Sequence, residues 1–227
     1  MTDAVVFDMY GTLFDVHSIR TRADEVFPDR GAEISAVWRV RQIDYTRLRT
    51  MAGRYVPFSA VTREALIATC AQLGLDVREA EIDYLVDAYR TLTPYPEVRE
   101  VLDSLAAAGI TRVILTNGDH AMVDPLLAYS RLATSFEHVL SADVARAYKT
   151  DPRVYQLAVD HVAVSAERIL FVSANQWDAV GGSWFGFATV WVNRSGEAPE
   201  ELGIRPTFEV TDLRDIVTLT SKTPSTP

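Results

Sequence analysis

Short apolar runs alternate with helix-spaced apolar positions over most of the chain. The runs are rich in branched and aromatic side chains, as buried strands are, and they cover residues 4–7, 111–115, 136–141, 169–172, 188–192 and an edge strand at 208–210. The helical patterns between them cover residues 98–108, 121–130, 152–161, 213–219 and a stretch that begins near Asp178. Because strands that alternate with helices form parallel sheets with helices on both faces, the pattern predicts an α/β fold.

The pattern changes between residues 16 and 93, where no strand is predicted. Helical patterns there cover residues 19–27, 34–52, 63–73 and 79–92. Thr62 is a candidate N-cap for the third of these helices, and Gly74 suits its C-terminal cap. We therefore predict a core domain of residues 1–15 and 94–220, an inserted all-helical cap domain of residues 16–93, and a loose tail of residues 221–227.

The first strand ends in an acid and a tight turn. Asp8 follows the apolar run directly, Gly11 permits a sharp turn, and the hydroxyl of Thr12 follows it. Open α/β sheets bind their ligands at the carboxyl ends of the strands, which is where this acid is predicted to lie. On this stretch alone, an Asp that merely caps a strand–helix turn explains the sequence equally well.

Polar residues also follow later strands of the predicted sheet. Thr116-Asn117-Gly118 follows the strand at 111–115, and Ser173 to Asp178 follows the strand at 169–172. Lys149 precedes the helix at 152–161. Each feature alone is typical of an ordinary turn, a solvated lysine or an N-terminal helix acid. Together, at successive strand ends, they predict a catalytic site that contains Asp8.

Composition narrows the possible partners and the compartment. The 31 acidic and 22 basic residues give a net charge of −9, which argues against nucleic acid as a partner but not against a small anionic substrate. Cys70 is the single cysteine, so no internal disulfide forms, and we expect it to be a buried thiol in a cytoplasmic protein. Neither a signal peptide nor a membrane-spanning stretch is predicted.

The motifs together resemble the haloacid dehalogenase superfamily and, more narrowly, the L-2-haloacid dehalogenases. The resemblance rests on Asp8-Met9-Tyr10-Gly11-Thr12-Leu13-Phe14-Asp15-Val16, Val37-Trp38-Arg39, Tyr148-Lys149 with Tyr155, and Phe171-Val172-Ser173-Ala174-Asn175-Gln176-Trp177-Asp178. It covers the chain roughly to Arg194. It implies a Rossmann-like parallel sheet core with an inserted all-helical cap, and a homodimer.

Tyr10 separates two branches of that superfamily. The phosphatases place a second Asp two residues after the nucleophile, where it protonates the leaving alcohol. A tyrosine with an ordinary pKa near 10 is a poor proton donor there, whereas a halide leaving group needs no proton. The sequence therefore favours a carboxylate nucleophile without metal or cofactor over Mg²⁺-dependent phosphoryl transfer.

The resemblance implies hydrolysis of short L-2-haloalkanoic acids to D-2-hydroxy acids. Asp8 would attack carbon 2 to form an ester, which water then hydrolyses. The implied catalytic residues are Asp8, Thr12, Arg39, Lys149, Tyr155, Ser173, Asn175 and Asp178. The implied substrate-binding residues are Tyr10, Arg39, Ile43, Phe58, Thr116, Asn117 and Trp177. Arg39 would accept the halide, Thr116 and Asn117 would bind the substrate carboxylate, and Lys149 would keep Asp8 ionised.

Several alternatives remain open on the sequence. The same attack acts on fluoroacetate or azetidine-2-carboxylate in related enzymes, and a Mg²⁺-dependent small-molecule phosphatase or a catalytically silent scaffold protein are rival functions. Three positions depart from the usual pattern of the family. Thr116 replaces a common serine, Ala174 stands where many relatives have serine, and Val40 stands where glutamine is frequent. We expect Ala174 and Val40 to lie near the pocket.

Overall fold

The computed structural model describes residues 2–221 of the chain. One six-stranded sheet comprises β1 (Ala4–Phe7), β4 (Thr111–Thr116), β5 (His138–Ser141), β6 (Ile169–Ser173), β7 (Ala188–Val192) and β8 (Phe208–Val210). Its spatial order is β5-β4-β1-β6-β7-β8, and every pairing is parallel. The predicted α/β fold is confirmed. The tail prediction falls on residues 222–227, outside the described residues, except for Ser221.

Strand β1 lies near the middle of the sheet because its side chains are wholly apolar. All four of its residues are buried, as expected for a strand that is covered on both faces. Ala4 stands opposite Thr111 of β4 and Ile169 of β6, so these three strands run in register. Their carboxyl ends consequently lie side by side, which brings the residues after Phe7, Leu115 and Val172 together.

Five helices flank the sheet: α5 (Val98–Ala107), α6 (His120–Tyr129), α7 (Pro152–Val162), α8 (Gln176–Phe185) and α9 (Asp215–Leu219). The apolar stripe of α5 packs on β4, and that of α8 packs on β6 and β7. Asp151 caps α7 by accepting a hydrogen bond from the backbone N–H of Arg153, with Pro152 at the first helical position.

Residues 16–92, all of which the structure describes, form helices joined by loops, without a strand. The helices are α1 (Arg20–Val26), α2 (Gly31–Met51), α3 (Phe58–Gln72) and α4 (Glu79–Asp87), with 3-10 turns at Val16–Ile19 and Ala88–Arg90. We call this stretch the helical segment. Trp38 is completely buried in it, and its indole N–H donates to the carbonyl of Thr62 at 2.8 Å. The edge of the Trp38 ring meets Tyr89, with 5.1 Å between centroids.

A small antiparallel ribbon joins the two ends of the helical segment. Strand β2 (Phe14–Asp15) pairs with β3 (Thr93–Pro94), so the chain enters and leaves the segment at one place. The sequence did not predict this ribbon, because strands of two residues carry no periodic signal. Asp15 also caps the first 3-10 turn by accepting from the N–H of His17 at 2.8 Å.

The structure corrects the predicted start of α3. Thr62 is not its N-cap, because the helix begins at Phe58, directly after Pro57. Thr62 is buried inside the helix, where its hydroxyl accepts a hydrogen bond from Nε2 of Gln42 at 2.7 Å. A proline before an aromatic start is a weaker sequence signal than a hydroxyl N-cap, which explains the wrong choice.

The predictions for Gly74 and Cys70 are confirmed. Gly74 follows the end of α3 with φ +65°, the left-handed conformation that favours glycine. Cys70 is a buried free thiol, and burial raises its pKa. In the described part of the chain, no helix combines the length and the apolar character that crossing a membrane requires.

Candidate active site

The turn after β1 presents Asp8 at the edge of the sheet. The backbone N–H of Asp8 donates to the carbonyl of Val172 at 2.9 Å, which extends the pairing between β1 and β6 by one residue. The chain then turns at Gly11, whose φ of +92° is available to glycine without strain. The Asp8 side chain is 8% exposed, so its carboxylate depends on protein hydrogen bonds rather than on water.

The two oxygens of the Asp8 carboxylate have unequal surroundings. Oδ2 accepts hydrogen bonds from Thr12 Oγ1 and from Asn175 Nδ2, each at 2.8 Å, with Ser173 Oγ more distant at 3.5 Å. Among residues 2–221, Oδ1 has one hydrogen-bond partner, Nζ of Lys149 at 3.1 Å. Oδ1 therefore keeps the more available lone pairs, while Oδ2 is surrounded by donors.

Lys149 joins two buried carboxylates. Its Nζ lies 3.1 Å from Oδ1 of Asp8 and 2.8 Å from Oδ2 of Asp178. Burial alone would lower the pKa of Lys149, but the charges of Asp178 and Asp8 outweigh it and raise that pKa. The ammonium also lies 5.0 Å from the centroid of the Phe171 ring. This cation therefore stays charged at neutral pH.

Asp178, in the first turn of α8, has no exposed surface. Burial raises its pKa to about 6, although the charge of Lys149 and a hydrogen bond from Tyr155 lower it. Tyr155 reaches it from α7 and donates to Oδ1 at 2.8 Å. Burial also raises the pKa of Tyr155 well above its ordinary value, so this phenol remains a donor. Asp178 is thus a carboxylate whose pKa lies close to neutrality.

The turn after β4 forms another wall of the site. Thr116 is fully buried, and its hydroxyl accepts from the backbone N–H of Gly118 at 3.0 Å. The Asn117 side-chain oxygen accepts from the backbone N–H of Lys149 at 2.9 Å. Asn117 therefore fixes the loop that carries the lysine, a contact that the sequence analysis did not assign to it.

Arg39 reaches the site from α2 in the helical segment. Its Nη2 donates to the carbonyl of Tyr10 at 3.2 Å and to Oδ1 of Asn175 at 3.3 Å. Its Nη1 donates to Oε1 of Gln42 at 2.9 Å. Since Asn175 also contacts Asp8, a single amide separates the guanidinium from the carboxylate. Val40, the next residue, is 61% exposed on α2, and its place near the pocket stays a prediction.

Of the residues predicted to form the apolar pocket, two pack on each other and two are half-buried elsewhere. The ring of Tyr10 stacks on that of Phe58 with 5.6 Å between centroids, and both side chains are buried. Trp177 is half-buried beneath the guanidinium of Arg47, 5.2 Å from its ring centroid. Ile43 is half-buried on α2, four residues after Arg39.

Two cavities open beside Asn175. One of about 590 Å³ is bordered by Trp177 and Thr150, and one of about 420 Å³ is bordered by Arg39 and Gly11. Ala174 borders both, as expected for a residue near the pocket. Within residues 2–221, no group of three or more His, Cys, Asp or Glu side chains is arranged to hold a metal ion.

The family model for haloacid dehalogenase-like hydrolases matches residues 2–186. The chain belongs to the haloacid dehalogenase-like hydrolases. It is 47% identical to an (S)-2-haloacid dehalogenase of Pseudomonas sp. (strain YL) over 95% of this chain and 93% of that protein. A solved L-2-haloacid dehalogenase superposes with a TM-score of 0.94 at 43% identity, over 97% of this chain and 99% of the other.

A further solved structure carries a covalently bound small molecule. It is the L-2-haloacid dehalogenase of Xanthobacter autotrophicus with chloropropionic acid covalently bound. It is 37% identical, with a TM-score of 0.91, over 96% of this chain and 98% of that chain. The likeness to these haloacid dehalogenase-like hydrolases therefore extends over both the sheet and the helical segment.

Two buried polar residues of this haloacid dehalogenase-like hydrolase escaped the sequence analysis. Gln42 is fully buried and joins Arg39 to Thr62. Its position in the sequence could have revealed its burial, because Gln42 lies on the same buried face of α2 as Ile34 and Trp38. Asp119 is also buried, directly after the turn at β4.

Proposed function

We propose that this protein hydrolyses short L-2-haloalkanoic acids to D-2-hydroxy acids through an ester on Asp8. The observation that carries the proposal is the inequality of the two Asp8 oxygens. In the described part of the chain, Oδ1 has Lys149 alone as a hydrogen-bond partner, which leaves lone pairs for attack on carbon 2. Oδ2 already has Thr12 and Asn175 as donors, which suits the charge that develops there when the ester is hydrolysed.

In the first step, Oδ1 attacks carbon 2 from the side opposite the halogen. The new C–O bond forms as the carbon–halogen bond breaks, and the bonding electron pair leaves with the halide. Carbon 2 is inverted once. Arg39, with its guanidinium one amide away from Asp8, stabilises the departing anion. No proton is needed, so the poor acidity of the buried Tyr10 phenol is no obstacle.

In the second step, water attacks the carbonyl carbon of the Asp8 ester. Asp178 positions this water and accepts its proton, a role that fits a carboxylate with a pKa of about 6. The charge on Oδ2 is stabilised by Thr12 and Asn175, with Ser173 nearby. The bond between Cγ and Oδ1 of Asp8 then breaks, and the alkoxide takes the proton from Asp178 and leaves as the 2-hydroxy acid. Asp8 returns to a carboxylate as its remaining proton passes to solvent. Lys149 and Tyr155 hold Asp178 in place through its two oxygens.

The other residues around Asp8 bind the substrate. Thr116 and Asn117 bind the substrate carboxylate at the turn after β4, next to the positive charge of Lys149. Tyr10, Ile43, Phe58 and Trp177 surround the substituent on carbon 2. The helical segment acts as a cap domain of residues 16–93 over a core of residues 1–15 and 94–220, since it supplies Arg39 and Phe58 to the site.

We also propose that the protein is a cytoplasmic homodimer. Val40, Leu48 and Met51 are 61%, 60% and 85% exposed and follow one another along α2 at spacings close to whole helical turns. A second copy would cover this stripe. Sedimentation that gives a stable monomer would contradict the dimer, and Leu48→Arg with Met51→Arg should dissociate it without abolishing halide release.

One assay tests the reaction. The protein is incubated with L- and D-2-chloropropionate in EDTA, and chloride and the configuration of lactate are measured. Chloride from the L-substrate alone, with D-lactate as product, is the expected result. Magnesium-dependent phosphate release without chloride would replace the proposal with a phosphatase. Fluoroacetate and azetidine-2-carboxylate, tested in parallel, define the range of substrates.

A second assay tests the ester. In a single turnover in ¹⁸O-water, the product hydroxyl comes from Asp8, so the label enters the protein and not the hydroxy acid. Label in the product of the first turnover would show direct attack by water and would rule out the ester.

A further inference from the structure

Asp119 is a buried acid beside the site, and the proposed reaction gives it no role. It follows the Thr116-Asn117-Gly118 turn and is 6% exposed. Its Oδ2 accepts a hydrogen bond from the backbone N–H of Ser59 at 2.6 Å. Its Oδ1 is buried and has no hydrogen-bond partner within the described residues. Burying a carboxylate with one unpaired oxygen costs free energy, and the hydrogen bond to Ser59 is the contact that offsets this cost.

The Asp119 side chain forms its hydrogen bond with another helix, α3, and not with its own. Asp119 is the N-cap residue of α6, yet its side chain makes no hydrogen bond to that helix. It instead caps α3, since Ser59 is the second residue of α3. The partial positive charge at the start of a helix of this length favours a carboxylate there. The acid of the sheet domain thus holds the first turn of a helix in the helical segment.

The residues next to this hydrogen bond pack on Tyr10, which the proposed function places beside the substituent on carbon 2. Phe58 precedes Ser59, is 1% exposed and stacks on Tyr10. Gly118 precedes Asp119 and lies against the same tyrosine, because a Cβ at Gly118 would come within 2.8 Å of Tyr10 Cε2. Phe58 and Gly118 therefore both contact the Tyr10 ring, and the Asp119–Ser59 hydrogen bond joins the residues next to them.

We propose that Asp119 is a positioning residue that holds Phe58 against Tyr10 and thereby sets the room for the substituent on carbon 2. This inference rests on the proposed haloacid hydrolysis. Without the hydrogen bond to Ser59, the start of α3 is free to shift and Phe58 loses its fixed place. Replacing Asp119 should therefore lower activity toward substrates whose substituent reaches Phe58. Substrates with only hydrogen on carbon 2 should be little affected.

The kinetic test compares chloroacetate with L-2-chlorobutanoate in D119A and D119N. We expect D119A to lower kcat/KM for chlorobutanoate about tenfold, mainly through KM, and that for chloroacetate less than about threefold. D119N keeps an oxygen acceptor for Ser59 and should restore most of the loss. D124A is the matched control, because Asp124 is an exposed acid on the same helix, paired with His120.

A double-mutant cycle with F58A tests whether Asp119 acts through Phe58. The change D119A should add little to F58A, both in kcat/KM for chlorobutanoate and in urea unfolding midpoint. Additive effects, equal losses for the two substrates, or a D119N variant as poor as D119A would overturn the inference. If D119A does not fold, Asp119→Ser takes its place in the same cycle.

The proposed function and this inference fail in different ways. Wild-type protein that releases no halide from any 2-halo acid refutes the proposed function, and the unfolding cycle still reports whether Asp119 and Phe58 are coupled. Active wild-type protein with uniform losses in D119A refutes the inference alone.

Discussion

Nζ of Lys149 lies 3.1 Å from Oδ1 of Asp8, and both side chains are almost completely removed from solvent. The same ammonium lies 2.8 Å from Asp178. One cation therefore balances two buried carboxylates, one that attacks carbon in the proposed reaction and one that acts on water. Removal of this charge should affect both stability and chemistry.

Lys149→Met leaves Asp8 and Asp178 facing each other without a cation. We expect a loss of about 3–5 kcal/mol in the free energy of unfolding, which urea denaturation measures, and halide release below detection. Arg168→Met is the control, because it breaks an exposed pair with Asp3. Equal stability of the Lys149 and Arg168 variants would contradict the role of the buried charge.

Tyr155→Phe should shift the acid limb of the pH–kcat profile to higher pH. The phenol donates to Oδ1 of Asp178 at 2.8 Å and so stabilises the ionised carboxylate. Its loss raises the pKa of Asp178 above about 6, and protonated Asp178 does not accept a proton from water. We expect a shift of about one pH unit. An unchanged profile, equal to that of the exposed control Tyr129→Phe, would show that Asp178 is not the titrating group.

Arg39→Ala should slow the step that expels the halide. Its guanidinium lies 3.3 Å from Oδ1 of Asn175, which in turn contacts Asp8, so the lost charge is the one proposed to stabilise the leaving anion. We expect the single-turnover rate of halide release to fall about 10²–10³-fold. Arg41→Ala is the control on the same helix, where the guanidinium pairs with Gln72. A normal first turnover with slow later ones would move Arg39 to a role after ester formation.

Thr12→Val should make the ester accumulate. The Thr12 hydroxyl donates to Oδ2 of Asp8 and accepts from the backbone N–H of Ala174, each at 2.8 Å. Valine fills the same space but leaves that N–H without a partner, at a cost of about 1–3 kcal/mol in stability. Ester hydrolysis should slow by about 10²-fold, and mass spectrometry of quenched protein detects the adduct. Thr12→Ser should retain both properties, and an adduct-free valine variant with normal turnover would contradict the assignment.

The sheet and its strand ends follow well from the sequence. Apolar runs predicted the strands, and parallel topology alone brings the residues after β1, β4 and β6 to one edge. The part of the site from the helical segment is different. Arg39 contacts Asn175 across 136 positions of sequence, and no local pattern encodes that approach. A resemblance to known enzymes, rather than periodicity, placed Arg39 in the site.

The residues that sequence reasoning missed share one physical property. Asp119 and Gln42 act through side-chain hydrogen bonds to distant elements, and each occupies a position where the local rule gives it an ordinary role. Asp119 looks like the cap of its own helix, and Gln42 looks like one polar residue of an amphipathic helix. Which backbone N–H a buried carboxylate chooses depends on packing that only the fold determines.

The ribbon between Phe14–Asp15 and Thr93–Pro94 makes the helical segment exchangeable. Asp15 and Thr93 are opposite partners, so their Cα atoms lie about 5 Å apart, a gap that a two-residue turn spans. Grafting another enzyme's segment between these points would replace Arg39, the proposed halide acceptor, together with Phe58, while leaving Asp8, Lys149 and Asp178 in place. If the proposed roles hold in the grafted protein, preference for the halide and for the length of the substrate changes at this one junction, while the residues proposed to act on water stay the same.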